Sequence, residues 1–107
     1  MNDAVVDWQL ATRRAGDNPE LAADLHAMLL EELPERIGLL EAALEQDARG
    51  HLKDPIHRLA GSCRYCGVPG LEAAVEALNT TLKEGERPSD EALLSVIEAA
   101  RGVLASS

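Results

Sequence analysis

The sequence predicts an all-α fold, an antiparallel four-helix bundle with a short additional N-terminal helix, forming a single domain over residues 1–107. Three observations predict this class. Ala and Leu dominate the hydrophobic residues, Val and Ile are few and Phe is absent, a usage that favours helix over sheet. Hydrophobic residues recur every three or four positions along most of the chain. Short breaks rich in Gly and Pro divide these periodic stretches into five helices.

The first helix is predicted to be short, over about residues 7–15. Asp7 is a typical N-cap residue, and Trp8 and Ala11 lie on one face of the helix that follows it. So short a helix needs support from a larger body, and we expect Trp8 to anchor it there.

The second helix is predicted to be the longest, over about residues 19–48. Asn18 as N-cap and Pro19 at the first helical position are typical of a helix start. Pro34 lies inside the pattern and lacks a backbone donor, so we expect a kink there rather than a break. The apolar residues that predict the buried face are Leu21, Leu25, Met28, Leu33, Ile37, Leu40 and Leu44.

The third helix is predicted over about residues 51–66. Pro55 falls near its first turn, where proline is tolerated, and Gly67 is a typical C-terminal cap residue. The apolar residues of this helix form a heptad-like stripe that predicts its buried face: Leu52, Ile56, Leu59, Cys63 and Cys66.

The fourth and fifth helices are predicted over about residues 69–84 and about residues 90–105, and Ser89 is the N-cap of the fifth. Their buried faces are expected to be Leu71, Val75, Leu78 and Leu82 in the fourth helix and Leu93, Ile97, Ala100 and Leu104 in the fifth. Four amphipathic helices with short connections predict an antiparallel bundle.

The formal net charge of −9 excludes several classes of function. A nucleic acid or an anionic membrane surface would repel this charge, so we expect neither as a partner. No apolar run approaches the ~20 residues that span a bilayer, and the N-terminus lacks a secretory signal. We therefore expect a cytoplasmic protein without membrane contact by this segment. A chain of this size does not need a disulfide between its two cysteines.

His57 lies beside the predicted buried stripe of the third helix and is expected to face solvent, together with Asp54, Ala60, Gly61 and Arg64. Glycine inside a helix costs about 1 kcal/mol relative to alanine, so Gly61, one turn after His57, requires an explanation. Its missing side chain either uncovers the imidazole for the approach of another protein or permits close packing of a neighbouring helix. The spacing leaves both explanations open.

The segment around His57 is basic within an acidic chain. Between residues 49 and 66 the charged residues are Arg49, Lys53, Arg58 and Arg64 against Asp54 alone. A neutral imidazole exposed to water is a nucleophile, and guanidinium groups near it would hold an incoming phosphoryl group. The alternative is that these cations pair with Glu side chains of adjacent helices, with little gain in stability from each pair.

The string HRLAGSCRYCGVP at residues 57–69 resembles the signature of histidine-containing phosphotransfer (HPt) domains, H-x-L-K-G-S-[SA]-x-x-x-G. It is also similar to the Cys-rich H-G-[AS]-C-x-Y-C-G-V-P stretch of the HPt domains that end hybrid sensor kinases of the BarA and GacS type. The resemblance extends over nearly the whole chain, because a kinked acidic helix containing Leu-Pro before the histidine helix, and two helices after it, is the HPt arrangement.

The resemblance implies a phosphoryl carrier in a multistep phosphorelay of two-component signalling. His57 would accept the phosphoryl group through Nε2 from an aspartate in the receiver domain of a hybrid histidine kinase. It would then pass the group to an aspartate in the receiver domain of a response regulator. Gly61 resembles the small residue that gives the receiver room, and Gly67 resembles the glycine that closes the helix.

One position departs from the family pattern. The lysine common three residues after the histidine is Ala60 here, so Arg58 or Arg64 would have to supply the cation that steadies the phosphoryl group. The chain has no phosphate-binding glycine loop and no carboxylate cluster for a metal ion. We therefore expect no bound cofactor or metal and no ATP-dependent kinase activity of its own, with Mg²⁺ held by the partner receiver domain.

The cysteines and the other two histidines permit other interpretations. The spacing of Cys63 and Cys66 matches redox and metal sites, but it falls late in a helix with no preceding strand, so buried thiols are the preferred interpretation. His26 and His51 have no glycine one turn on and no cations along their own face, so we expect them at the surface or at a helix boundary. The alternative function is a non-catalytic helical adaptor or dimerising bundle that binds protein through the same face.

Overall fold

The computed structural model describes residues 5–46 and 49–107, and within them the chain forms five α-helices, one 3₁₀ turn and no strand. The helices are α1 (Trp8–Arg14), α2 (Pro19–Gln46), α3 (Lys53–Cys63), α4 (Pro69–Lys83) and α5 (Asp90–Ala105). The 3₁₀ turn, Gly50–Leu52, leads into α3. The predicted all-α class is confirmed. The predicted end of the second helix, residues 47–48, lies outside the described residues.

The four longer helices form an antiparallel bundle. Helix α2 packs against α3 and α5, and α4 packs against the same two helices. At one end of the bundle His26 near the start of α2 contacts Ser107 just after α5, and at the other Arg49, after α2, pairs with Asp90 at the start of α5. The 28 residues of α2 extend about 42 Å as a helix, which matches the 41 Å long axis of the molecule.

The buried face of α2 differs from the predicted one in its N-terminal half. Leu21 and Met28 are 42% and 64% exposed. The reason is α1, which packs on this part of α2 through the small side chains of Ala11 and Ala15. The residues of α2 that are buried are Ala22, His26, Leu29, Leu33, Ile37, Leu40 and Ala43. Helix α2 continues through Pro34, which is exposed; the predicted kink stays a prediction.

Helix α3 is shorter than predicted, because it begins after a 3₁₀ turn and ends at Cys63 rather than Cys66. Residues 64–66 turn so that the carbonyl of Gly67 accepts a hydrogen bond from Asp7 N at 2.7 Å. The guanidinium of Arg14 donates to the Cys63 and Cys66 carbonyls at 3.2 and 2.8 Å. Asp7 and Arg14, at the two ends of α1, therefore bind carbonyl groups at the end of α3 and in the turn after it.

The fold depends on Gly67 for a different reason than the predicted helix cap. Its φ is not positive, unlike that of Gly16 (+70°) and Gly85 (+75°). A Cβ at Gly67 would overlap the carbonyl oxygen of Asp7 and lie 2.8 Å from the backbone nitrogen of Ala11. Gly67 is required because the backbone of α1 passes directly over it.

Candidate functional site

His57 is exposed in the second turn of α3. The same helix is held on the core by Ile56 and Leu59, which are 1% and 0% exposed, on either side of the histidine in the sequence. Pro55 costs little here because the first residues of a helix have no intrahelical hydrogen bond to lose. An imidazole that faces solvent on a helix fixed to the core can attack a group presented by a second protein without a change in the fold.

Gly61 lies one turn along α3 from His57 and faces open space. A Cβ built on Gly61 would meet no atom of the described residues within 4 Å, apart from its own turn of helix. No neighbouring helix packs there, which excludes close packing as the explanation for a glycine at this position. The surface beside the imidazole is therefore open because residue 61 has no side chain, and no packing contact requires a glycine at this position.

The two arginines that sequence analysis singled out differ in their surroundings. Arg58 is exposed, and it forms no ion pair with any residue that the structure describes. Arg64 follows the last residue of α3, and its Nε and Nη2 lie 3.0 and 2.8 Å from the Glu76 carboxylate of α4. Seven residues of helix separate Arg64 from His57, a distance of about 10 Å. Arg64 is therefore already engaged and lies away from the imidazole.

The structure brings two lysines to His57: Lys53, which the sequence already placed in the basic segment, and Lys83, which sequence reasoning had not connected with the histidine. A hollow of about 370 Å³ is lined by Lys53, Asp54, His57 and Lys83. Lys53 and Asp54 precede the histidine by one turn of α3, whereas Lys83 is the last residue of α4. Sequence spacing could have placed Lys53 one turn before His57, but only the packing of α3 against α4 brings Lys83 there.

The opposite side of α3 carries a network of carboxylates. Ser62 donates a hydrogen bond to Glu32 of α2 at 2.8 Å, and Arg36 contacts Glu32 at 3.2 Å and Glu35 at 2.7 Å. Two carboxylates of the acidic helix are thus held by one guanidinium and one hydroxyl group. The surface toward α2 is therefore acidic at this point, whereas the hollow toward α4 carries two lysines against one carboxylate.

The two cysteines are buried thiols, 0% and 2% exposed, and neither forms a disulfide. Burial, with smaller contributions from Cys66 and nearby carboxylates, raises the pKa of Cys63 to about 12. Burial also raises the pKa of Cys66, whose Sγ contacts the Leu25 carbonyl oxygen at 3.5 Å. Thiols held protonated are poor nucleophiles and poor metal ligands. Within residues 5–46 and 49–107, no cluster of three or more His, Cys, Asp or Glu side chains could hold a metal ion.

The other two histidines occupy contrasting positions. His51 is exposed in the 3₁₀ turn, whereas His26 is 4% exposed, which corrects the expectation of a surface or boundary position. His26 Nε2 lies 2.9 Å from Ser107 Oγ, and its ring packs on Trp8 with centroids 4.7 Å apart. Trp8 thus holds α1 to α2, although 48% of its surface remains exposed. Neither histidine adjoins the hollow at His57.

The sequence and the fold agree with one family. The sequence model of the Hpt domain family matches residues 12–106 of this chain. The chain belongs to the Hpt domain family. It is 39% identical over 88 residues to the signal transduction histidine-protein kinase BarA of Escherichia coli strain K12. It is 41% identical over 90 residues to the sensor protein GacS of Pseudomonas syringae pv. syringae. These alignments cover 82% and 83% of this chain but only 10% of each relative. The resemblance to HPt domains of BarA and GacS kinases is confirmed.

The fold also matches an Hpt domain that has been solved. The crystal structure of the HPT domain of a hybrid histidine kinase from Shewanella superposes with a TM-score of 0.89. The match covers 95% of this chain and 89% of that one at 27% sequence identity. The predicted helical bundle is therefore confirmed as that of this Hpt domain. In the part of the chain that the structure describes, no helix is long and apolar enough to cross a membrane.

Proposed function

We propose that this Hpt domain carries a phosphoryl group on His57 between two receiver domains in a phosphorelay. The observation that carries the proposal is the exposed imidazole of His57 on a helix whose other face is buried in the core. Beside it lies Gly61, whose missing side chain leaves open space that no neighbouring helix fills. Family membership supports the phosphotransfer role itself. The donor is proposed to be the receiver domain of a hybrid histidine kinase, and the acceptor that of a response regulator.

The chemical step is a displacement at phosphorus. The lone pair of His57 Nε2 attacks the phosphorus of an aspartyl phosphate, the N–P bond forms, and the P–O bond to the aspartate breaks. The carboxylate leaves with the electron pair, and the imidazolium sheds its Nδ1 proton to water or keeps it. Onward transfer is the reverse displacement by a second aspartate. Mg²⁺ in the receiver would neutralise the phosphoryl oxygens, and the Hpt domain would supply an aligned nucleophile.

The docking surface in this proposal is the exposed face of α3 with part of α2. Arg58, Gly61 and Arg64 belong to it, Arg58 as an exposed cation that forms no ion pair with the described residues and Gly61 as the gap that a receiver loop would enter. Met28 and Tyr65, 64% and 61% exposed, are proposed for its edge, because the Glu32–Ser62 and Leu25–Cys66 contacts bring these parts of α2 and α3 together. A cationic and apolar surface suits the acidic, Mg²⁺-binding pocket of a receiver and its apolar rim.

The test is transfer from a phosphorylated receiver domain of a hybrid kinase to this chain. We expect acid-labile, base-stable phosphate on the wild type and on His51→Gln, which removes an exposed histidine outside the site, and none on His57→Gln. The labelled chain should then lose its phosphate to the receiver domain of a response regulator.

Two outcomes would overturn this proposal. The first is label that survives His57→Gln, which would place the acceptor elsewhere. The second is no label from several receivers that charge another Hpt domain. If the unlabelled chain still bound those receivers, it would act as a non-catalytic adaptor.

A further inference from the structure

The hollow beside His57 joins two helices whose register is set by an ion pair. Helices α3 and α4 run antiparallel, and Arg64 at the end of α3 pairs with Glu76 in the middle of α4. Seven residues back along α3 is His57, and seven residues forward along α4 is Lys83. Both steps are two helical turns, about 10 Å. Lys83 is therefore placed opposite His57, which agrees with their shared hollow.

The charges that face the hollow are two ammonium groups and one carboxylate, from Lys53, Lys83 and Asp54. Neither lysine forms an ion pair with any residue in the described parts of the chain. Arg64, by contrast, is already held by Glu76. A phosphoryl group on the imidazole brings about two negative charges, and an unpaired ammonium group can turn toward it without breaking another contact.

Helix α3 offers no cation on its buried side. Ala60, one turn after His57, is 0% exposed and belongs to the core, which corrects the expectation that it faces solvent. Residue 60 therefore cannot supply a cation to the phosphoryl group, whereas the adjacent helix α4 ends in Lys83, which lines the hollow.

We propose that Lys83, a residue of α4, is the main cation that binds the phosphoryl group on His57, with Lys53 as a second contact from α3. The proposal rests on the phosphoryl-carrier function given above. Lys83 makes no covalent bond. Its ammonium group attracts the incoming phosphoryl oxygens and holds them once the N–P bond has formed.

The test uses phosphoramidate, which phosphorylates imidazole directly and so separates this proposal from receiver docking. His57 forms the N–P bond, the P–N bond of phosphoramidate breaks, and ammonia leaves with a proton. The charging rates of His57 and His51 are followed separately in the full chain by NMR. His51 is an internal reference because it is exposed but lies outside the hollow.

We expect Lys83→Gln to slow charging of His57 about threefold to tenfold and to leave charging of His51 unchanged. The loss should shrink at high salt, because screening weakens the attraction in the wild type. Lys83→Arg should restore most of the rate. Arg13→Gln, which removes an exposed cation on α1, is the control for net charge. Thermal unfolding of each variant establishes that the fold is intact.

Equal charging of His57 in Lys83→Gln and in the wild type would overturn the role of Lys83. The same would follow from a slowing that Arg13→Gln reproduces, or from one that affects His51 equally. If Lys83→Gln behaves as proposed while no receiver transfers phosphate to the wild type, the hollow binds phosphoryl groups and the relay function fails. If receivers charge His57 normally and Lys83→Gln has no effect, only this inference fails.

Discussion

Replacing Gly67 by alanine tests whether the contact between α1 and the turn after α3 is as close as the structure shows. The added methyl group would overlap the Asp7 carbonyl oxygen and lie 2.8 Å from Ala11 N and 3.0 Å from Ala11 Cβ. Two of these three atoms are backbone atoms. Side-chain rotation cannot relieve the overlap, so α1 itself has to move.

The expected cost follows from what that movement disrupts. Overpacking of this kind costs about 1–3 kcal/mol. The hydrogen bond from Asp7 N to the Gly67 carbonyl, worth about 1 kcal/mol, would lengthen or break. The smaller entropy of the unfolded alanine chain offsets about 0.5–1 kcal/mol. The net loss is about 1–3.5 kcal/mol, which lowers the melting temperature of a domain of this size by about 5–15 °C.

The assay is thermal or urea unfolding of Gly67→Ala beside a matched variant, Gly61→Ala. Both variants add one methyl group to a glycine of the same segment. At Gly61 the methyl group meets open space, and alanine is the better helix residue. We therefore expect Gly61→Ala to gain about 0.5–1 kcal/mol in the free energy of unfolding. A lower free energy of unfolding for Gly67→Ala and a higher one for Gly61→Ala would show that the first glycine is packed against α1 and the second is open to solvent.

Two results would contradict this reasoning. A melting temperature of Gly67→Ala within about 2 °C of the wild type would mean that α1 yields at little cost and does not hold the turn. A loss of stability in Gly61→Ala would mean that the surface next to His57 is packed and not open.

The other predictions concern the histidine, thiol and docking groups. Burial lowers the pKa of His26 below its ordinary 6.5, so the stability that neutral His26 contributes is complete above pH 6.5 and is lost as the pH falls through the folded pKa. The difference in urea midpoint between wild type and His26→Gln should therefore shrink from pH 7.5 to pH 5.5, and a constant difference would refute this. Because burial holds Cys63 protonated, with a pKa of about 12, we expect a disulfide reagent at pH 8 to react with the native thiols about a hundredfold or more slowly than with the unfolded chain; comparable rates would show an open site. Gly61→Leu should slow transfer from a receiver at least about tenfold, because the leucine side chain would weaken the binding free energy of the receiver by about 1.4 kcal/mol or more. Charging of His57 by phosphoramidate, which needs no docking, should stay within about twofold of the wild-type rate. Equal transfer rates would remove Gly61 from the docking surface.

The helices and their order were predictable because periodicity and capping are local properties. Asn18 and Ser89 accept hydrogen bonds from the backbone of their first turns, as their residue types indicated. Helix α5 has the predicted bounds, and α4 ends one residue early. The exposure of His57 was predictable because the apolar stripe of α3 leaves it on the other face, and its role as phosphoryl acceptor stays a prediction.

The errors have a common cause in contacts between helices. Leu21 and Met28 fit the apolar spacing of α2, but α1 covers a neighbouring face instead. His26 has the polarity of a surface residue, yet Trp8 and Ser107 enclose it. In each case a residue distant in sequence decided the burial, and periodicity within one helix contains no information about it.

By itself, the sequence determined that this chain is an all-α bundle with an exposed histidine on its third helix, because helix propensity, apolar spacing and the HPt-like signature are written in consecutive residues. The tertiary structure alone decided that Gly61 faces open space while Gly67 lies under α1. It also decided that Lys83, 26 positions after the histidine, shares a hollow with it. The register of two packed helices depends on side chains that meet only after the chain has folded, such as Arg64 and Glu76.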